Sequence, residues 1–489
     1  MFGSKYKLYI DGKWVNSNSR ETFPSLNPAS PKQVLGRFQK GNENDVEKAV
    51  EAAEKAFYSW SNTPAPKRGL ILFKVAELLR KNKESLAKLV TREMGKVIAE
   101  ARGDVQEAID MAEYMAGEGR RLFGHTTPSE LKDKFCMTIR RPVGVYGLIT
   151  PWNFPMAIPA WKIFPALICG NTVVFKPSSD TPLCATKLVE ILEKAGLPKG
   201  VLNLMTGPGE SVGMSIIRHK RIRGISFTGS KATGEMIVKE AGLKKVGLEL
   251  GGKNGIIVMD NANLNLALDG VIWGGYGTTG QRCTAASRVI VHEKIKEKFE
   301  TMLVQRISKL RLGDGLKQGT DVGPLVNRAA QEKSMNYTEI GLREGAKILI
   351  GGRIPKMKGF FFEPTLFTNC KIDMRIAQEE IFGPIVSLIP VKDFDEAIDV
   401  MNSVEYGLSS SIYTEDIRKA FLAIQRIEAG LTYVNSSTIG SEVHLPFGGV
   451  KHTGNGVREG GIEGVNEFSE TKTVYVDYSG KLQKAQDIE

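Results

Sequence analysis

The spacing of apolar positions changes twice along the chain, and each change marks a different kind of structure. From residue 43 to about 121 apolar residues recur every three to four positions, with Val46, Ala49, Val50, Ala53 and Phe57 on one face and Leu70, Leu72, Val75 and Leu78 on another. That period predicts amphipathic helices, interrupted at Pro64 and Pro66. From 143 to 250 short β-rich runs take over, at 143–150, 172–176, 201–206, 224–228 and 246–250, with helical stretches between them. Strand, helix, strand repetition predicts a doubly wound parallel sheet, whose ligands sit at the carboxyl ends of the strands and are often dinucleotides.

A second α/β succession follows Gly251-Gly252: a strand at 255–259, a helix through Trp273, a strand at 287–292, a long amphipathic helix at 294–310 and a strand at 385–391. The charged, weakly periodic piece 128–140 reads as an arm or exposed ribbon between domains. The β-branched and aromatic run 472–478 reads as a last strand that pairs with another element or subunit. Residues 142–161 carry no charge over nearly the length that spans a bilayer. Pro142, Pro151, Pro155 and Pro159 would break such a span repeatedly, so the expectation is a buried strand, a turn and a helix start.

Composition narrows the class. The 489 residues, 42% hydrophobic and 25% charged, suit a soluble folded chain of two or three domains. The net charge of +11 comes from scattered lysines and arginines, with no stripe for nucleic acid. Residues 1–11 hold no secretory signal. Five cysteines without a paired spacing imply a reducing cytoplasm, and five histidines without ligand spacing imply no metal site.

Three local patterns carry chemistry. In Gly280-Gln281-Arg282-Cys283-Thr284-Ala285 a thiol lies between a glycine bend and the next strand, beside a cation that would favour thiolate. Cys136, Cys169, Cys184 and Cys370 instead read as core residues. Glu249 ends an apolar strand between two leucines, so burial should raise it towards a usable base, the alternative being a surface turn acid. Asn153, in the stiff loop Thr150-Pro151-Trp152-Asn153-Phe154-Pro155, is either an oxyanion donor or a turn former. Lys176-Pro177-Ser178-Ser179, the glycine loop 207–213 and Phe227-Thr228-Gly229-Ser230 offer strand ends and helix starts to phosphate.

These residues, with Glu379-Glu380-Ile381-Phe382-Gly383-Pro384 and Pro446-Phe447-Gly448-Gly449, occur in the order seen in the aldehyde dehydrogenase superfamily, which the whole chain resembles. The resemblance implies an α/β fold in three parts: a Rossmann-like cofactor domain at 1–124 and 143–250, a second α/β catalytic domain at 251–450, and a small β oligomerisation arm at 125–142 and 468–489. It implies Cys283 as nucleophile, Glu249 as deacylation base, and Asn153 with the Cys283 backbone N–H as oxyanion hole. It implies a nicotinamide cofactor held by Thr150, Trp152, Lys176, Ser179, Gly209, Ser230, Leu250, Glu380 and Phe382. Ser179 stands where many NAD-preferring relatives have an acid, so NADP should be used at least as well as NAD. CoA-acylating relatives usually lack an acid at the Glu249 position, so hydrolysis to the free acid is expected.

Substrate contacts are expected from Arg282, Phe154, Trp161, Ser441 and Phe447, with the loop 439–444 covering one side of the aldehyde tunnel. Arg282 and the run 157–162 resemble dehydrogenases of 2,5-dioxopentanoate, the semialdehyde of 2-oxoglutarate. Arg282 alternatively only orders its loop or supports the thiolate. Broad-specificity, succinic-semialdehyde and glyceraldehyde oxidation are the other readings. A scaffold without catalysis and a cysteine hydrolase using His292 are the alternatives from other classes. The partners expected are a small aldehyde and copies of the chain in a homodimer or homotetramer, with neither nucleic acid nor membrane.

Overall fold

The computed structural model describes residues 4–486; the ends of the expected cofactor domain and arm, 1–3 and 487–489, lie outside them. Two seven-stranded sheets form the body. The first runs Lys245–Glu249, Ile222–Thr228, Val145–Ile149, Thr172–Lys176, Leu202–Leu204, Leu8–Ile10, Lys13–Val15. Its first five strands are parallel, and Val145–Ile149 and Thr172–Lys176 are buried along their whole length. Helices cover both faces, which is why these strands read as continuous apolar runs without alternation.

The N-terminal hairpin adds two antiparallel strands to this sheet that the sequence reading passed over. Its signal was present: Asp11 and Gly12 both take positive φ (51° and 71°), as a two-residue hairpin loop requires. A further strand pair, Thr22–Asn27 and Ser30–Gln39, was also unforeseen.

The helical segment resolves into Glu43–Ser61, Ala65–Lys81, Lys83–Met94 and Ile98–Glu118. Asn42 caps the first, its side chain accepting from the Asp45 N–H while the Asp45 carboxylate accepts from Asn42. Val46, Ala49, Val50 and Ala53 are buried as expected. Leu70 is 62% exposed, because the buried face of its helix runs through Leu72, Val75, Ala76 and Leu79, and a residue two places from Leu72 falls on the opposite side.

The second sheet runs Lys347–Ile350, Thr365–Thr368, Ile385–Val391, Ala286–His292, Asn254–Val258, Ser409–Tyr413, Leu431–Val434, parallel except at its first pair. The expected helix at 294–310 is shorter, a 3-10 turn Glu293–Ile295 followed by Lys296–Ile307. The last strand, Ser469–Asp477, pairs along its whole length with Lys134–Pro142 of the same chain. Tyr475 and Val476 on it remain exposed.

The uncharged stretch becomes the strand Val145–Ile149, a loop and the helix Ala157–Cys169. Among the described residues no helix is long and apolar enough to cross a membrane. Ala157–Cys169 is buried on almost every side and packs against Ile98–Glu118, so Lys162, the one charged residue of this helix, is carried into the core. Phe164, fully buried in that helix, should cost about 3–5 kcal/mol when truncated to alanine. In urea unfolding followed by circular dichroism, Phe164→Ala is expected to unfold at clearly lower denaturant, while Tyr58→Ala on an exposed helix face should not. Equal midpoints would contradict this packing.

Candidate active site

The helix Leu264–Tyr276 ends in a tight turn, Gly277–Gly280, that delivers Cys283 to the interior. Thr278 and Thr279 are left-handed (φ 52° and 59°), a strained choice for β-branched residues. Gly280 is also left-handed, and a side chain there would enter the backbone of Gly383. Gln281, fully buried, holds the turn: its Nε2 donates to the Thr278 and Pro324 carbonyls (3.2 and 3.4 Å), and its Oε1 accepts from the Val326 N–H at 2.9 Å. Asn254 Nδ2 donates to the Cys283 carbonyl at 2.7 Å. The thiol is thereby fixed at a cavity of about 140 Å³.

Glu249 ends the strand Lys245–Glu249 and lines the same cavity. It is only 4% exposed, and neither carboxylate oxygen has a hydrogen bond. The chain at Gly448 comes so near that a Cβ there would lie 2.5 Å from Glu249 Oε1, so this approach needs glycine. Burial pushes the Glu249 carboxyl well above the usual range; Glu459 pushes the same way and Lys162 opposes it. Asn153 is buried, with Nδ2 donating to the Gln281 carbonyl at 3.1 Å and Oδ1 unpaired. A primary amide has a second N–H, which remains for a ligand.

Arg282 differs from its expected part in activating the thiol. Its Nε donates to Thr278 Oγ1 at 2.8 Å, its terminal nitrogen pairs with Glu100 at 3.3 Å, and its guanidinium lies over the rings of Phe154 and Trp273. The charges that bear most on Cys283 are carboxylates. Burial pushes the thiol up to about 12, with Glu249 and Glu380 adding to the rise. Arg282 does line the cavity, with Phe154, Trp161, Ser441 and Phe447, the residues expected to meet substrate. Trp161 and Phe447 meet edge to face there, 5.7 Å between centroids. The loop covers the cavity only through Ile439, Gly440 and Ser441; Glu442 and His444 are exposed and face each other at 3.5 Å.

A second cavity, of about 490 Å³, opens at the carboxyl ends of the first sheet. Thr150, Lys176, Ser179 and Gly209 line it, as do Asp180 and Glu210, two acids that the sequence reading did not weigh. Burial pulls Lys176 down to about 8 and raises Asp180. Ser179 Oγ donates to the Gly207 carbonyl at 3.1 Å. Ser230 caps the helix Lys231–Ala241, accepting from the Thr233 N–H at 3.3 Å. Toward the thiol, Leu250 lines the first cavity, Trp152 meets Phe382 edge to face at 5.5 Å, and half-buried Glu380 accepts from the Gly252 N–H at 2.9 Å. Strand ends and helix starts at one cavity, with a pair of aromatics toward the thiol, suit a dinucleotide.

His292 lies at the far end of its strand beside Asp260 (3.9 Å), its Nδ1 accepting from the Lys294 N–H at 3.3 Å, and it does not line the thiol cavity. The sequence of residues 14–474 matches the model of the Aldehyde dehydrogenase family. The chain belongs to that family. An alpha-ketoglutarate semialdehyde dehydrogenase of Haloferax volcanii is 45% identical over 479 residues, 96% of this chain and 99% of that protein. A 2,5-dioxopentanoate dehydrogenase of Saccharolobus solfataricus is 41% identical over 468 residues, 95% and 98% of the two. The crystal structure of betaine aldehyde dehydrogenase from Staphylococcus aureus in complex with NAD+ superposes with a TM-score of 0.95 at 37% identity, covering 98% of this chain and 95% of that one.

This aldehyde dehydrogenase is thus an NAD(P)-dependent oxidoreductase that oxidises an aldehyde. Its site also holds groups that the sequence reading did not assign. Lys162 donates to Ser226 Oγ at 2.9 Å and is ion-paired to Glu459, and both partners act on Glu249. A lone lysine in an apolar helix was a usable signal; nothing in the sequence linked it to an acid almost 300 residues away. The other four cysteines are buried. Iodoacetamide should therefore label the dehydrogenase at Cys283 alone, with a rate that climbs about tenfold per pH unit and no plateau from pH 7 to 9. A plateau below pH 8 would mean that the carboxylates do not hold the thiol protonated.

Proposed function

We propose that the chain oxidises a short anionic aldehyde, such as 2,5-dioxopentanoate, to its carboxylate through a thioester on Cys283. The observation that carries this reading is the unbonded, buried carboxylate of Glu249 in one cavity with a thiol that has no hydrolase-type histidine. Cys283 passes its proton to solvent water and attacks the aldehyde carbon as the thiolate, and the second N–H of Asn153 with the Cys283 backbone N–H holds the developing oxyanion. Each such donor is worth roughly 10²–10³ in rate. A nicotinamide held by Trp152, Glu380 and Phe382 would supply the hydride acceptor for that carbon. Glu249 then takes a proton from water, which attacks the thioester, and Cys283 leaves.

Trp152, Glu380 and Phe382 are assigned to the nicotinamide end of the cofactor and Thr150, Lys176, Ser179, Gly209, Ser230 and Leu250 to the rest, in the domain formed by 1–124 and 143–250. The catalytic domain is 251–450 and the arm 125–142 with 468–489. NADP is used at least as well as NAD: Ser179 puts no charge against a 2′-phosphate, and Lys176 keeps most of its proton at pH 7. Asp180 and Glu210 temper this, which leaves NAD usable. The exposed Tyr475 and Val476 on the arm support a homodimer or homotetramer, and five free thiols support a cytoplasmic setting.

A cavity of about 140 Å³ suits a short substrate, since drug-sized ligands fill about 300–1,000 Å³. The two relatives named for the 2-oxoglutarate semialdehyde add to that argument. Arg282, though tied to Glu100 and Thr278, lines the cavity and can share a substrate carboxylate.

Glu249→Gln should give a burst of one reduced cofactor per site followed by a steady state at least about a hundredfold slower than wild type, read by stopped-flow absorbance at 340 nm. Equal loss of burst and steady state would move Glu249 to an earlier step. Across 2,5-dioxopentanoate, succinic semialdehyde, glyceraldehyde and hexanal, the two anionic aldehydes should show the highest kcat/KM, and Arg282→Met should erase a gap of roughly ten- to a hundredfold, about 1.5–3 kcal/mol for a paired carboxylate. A tenfold advantage for hexanal would contradict the anionic substrate.

A further inference from the structure

The thiol cavity abuts a second hollow of about 630 Å³, and the two share Glu107, Phe154 and Arg282 in their linings. Behind that shared wall lies a cluster of charge. Lys96, in the loop before the helix Ile98–Glu118, is fully buried, pairs with Asp104 at 3.1 Å and stands 3.5 Å from the centre of the Phe154 ring. Arg282 pairs with Glu100. Each cation is thus matched by one acid before Glu107 is counted. An ionised Glu107 would leave the cluster with one unmatched negative charge, in the wall of the thiol cavity.

We propose that Glu107 is a specificity-determining residue that meets the far end of the substrate as a neutral carboxylic acid, so that an anionic aldehyde is bound together with one proton from solvent. The proposal rests on the reading that the substrate is anionic. In its neutral form Glu107 offers an O–H to the substrate carboxylate or 2-oxo group and leaves Arg282 as the nearest charge for it to meet.

The groups facing Glu107 come from four elements. Asp104 is one turn back on its own helix, Lys96 is in the preceding loop, Arg282 is in the nucleophile loop, and Trp161 is on Ala157–Cys169. Cys283, Glu249 and Glu459 line the same cavity beyond them. Burial and then Asp104 push Glu107 up to about 7, against the opposing pull of Lys96 and Arg282. The sign follows: below that value the site is open to an anion, and above it an ionised Glu107 repels one.

The test is the ratio of kcat/KM for 2,5-dioxopentanoate to that for pentanal, measured from pH 6 to 8.5. Both aldehydes use the same thiol and base, so the titration of Cys283 and Glu249 cancels in the ratio. It should fall about thirtyfold over this range in the wild type, the loss of neutral Glu107 for a group that titrates near 7. In Glu107→Gln it should stay at its low-pH level throughout. Calorimetry of the binding of 2-oxopentanoate, which keeps the 2-oxo acid end and brings no second carboxylate to Glu249, at pH 8 in two buffers of different ionisation enthalpy, should record close to one proton taken up per site in the wild type and none in the variant. A flat wild-type ratio with the anionic preference intact, or an unchanged slope in Glu107→Gln, overturns the role of Glu107 alone. No anionic preference even at pH 6 overturns the substrate reading, and the proposal with it.

Discussion

Desolvation of ionisable groups is the constraint on which this site depends. Cys283, Glu249 and Glu380 are all pushed upward by burial, and for each of them burial is the largest cause. A carboxylate held up in this way keeps the affinity for a proton that a base needs, whereas in water it would be too weak. The same dryness raises the thiol, so chemistry at Cys283 is tied to the substrate's arrival and to the proton inventory of the cavity. Isolated buried charges would be too costly, and the chain offsets them by pairing: Lys162 with Glu459, Lys96 with Asp104, Arg282 with Glu100.

The fold gathers these groups from distant places by a shared rule. Glu249 ends a strand of the first sheet, Asn153 follows another, and Cys283 stands in the loop before Ala286–His292 of the second sheet. Backbone strain is stored at Thr278 and Thr279, shortly before Cys283, and again at Phe382, whose φ is 62°. After Gly449 the chain returns to the first sheet: the Leu250 N–H donates to the Thr453 carbonyl, and Gly454 bridges to Glu249. Glu459, further along that return, lines the cavity with Glu249.

Much of the architecture was legible because parallel strands buried on both faces announce themselves as apolar runs, and helices by their period. The strands near 145, 172, 202, 222 and 245 fell where those runs predicted, within about three residues at each end. The Asp11-Gly12 hairpin was also legible and was overlooked. Local chemistry marks the two residues that the fold brings to one cavity: a glycine bend before Cys283, and leucines on both sides of Glu249. What could not be read was pairing across the chain. Glu459 and Lys162, Glu100 and Arg282, or Glu107 facing the aldehyde cavity depend on how helices pack, and no spacing records that. The expectation that Arg282 favours the thiolate failed for the same reason, since adjacency in sequence did not fix which way its guanidinium turned.

The most direct trial of covalent catalysis at Cys283 under the control of Glu249 is to trap the acyl group itself. The Glu249→Gln enzyme, given aldehyde and oxidised cofactor and quenched in acid during turnover, is digested and its peptides are weighed by mass spectrometry. An acyl mass on the peptide containing Cys283, formed only when oxidised cofactor is present, is the expected result. An unmodified Cys283 with the burst of reduced cofactor intact, or the acyl mass on another residue, would contradict it.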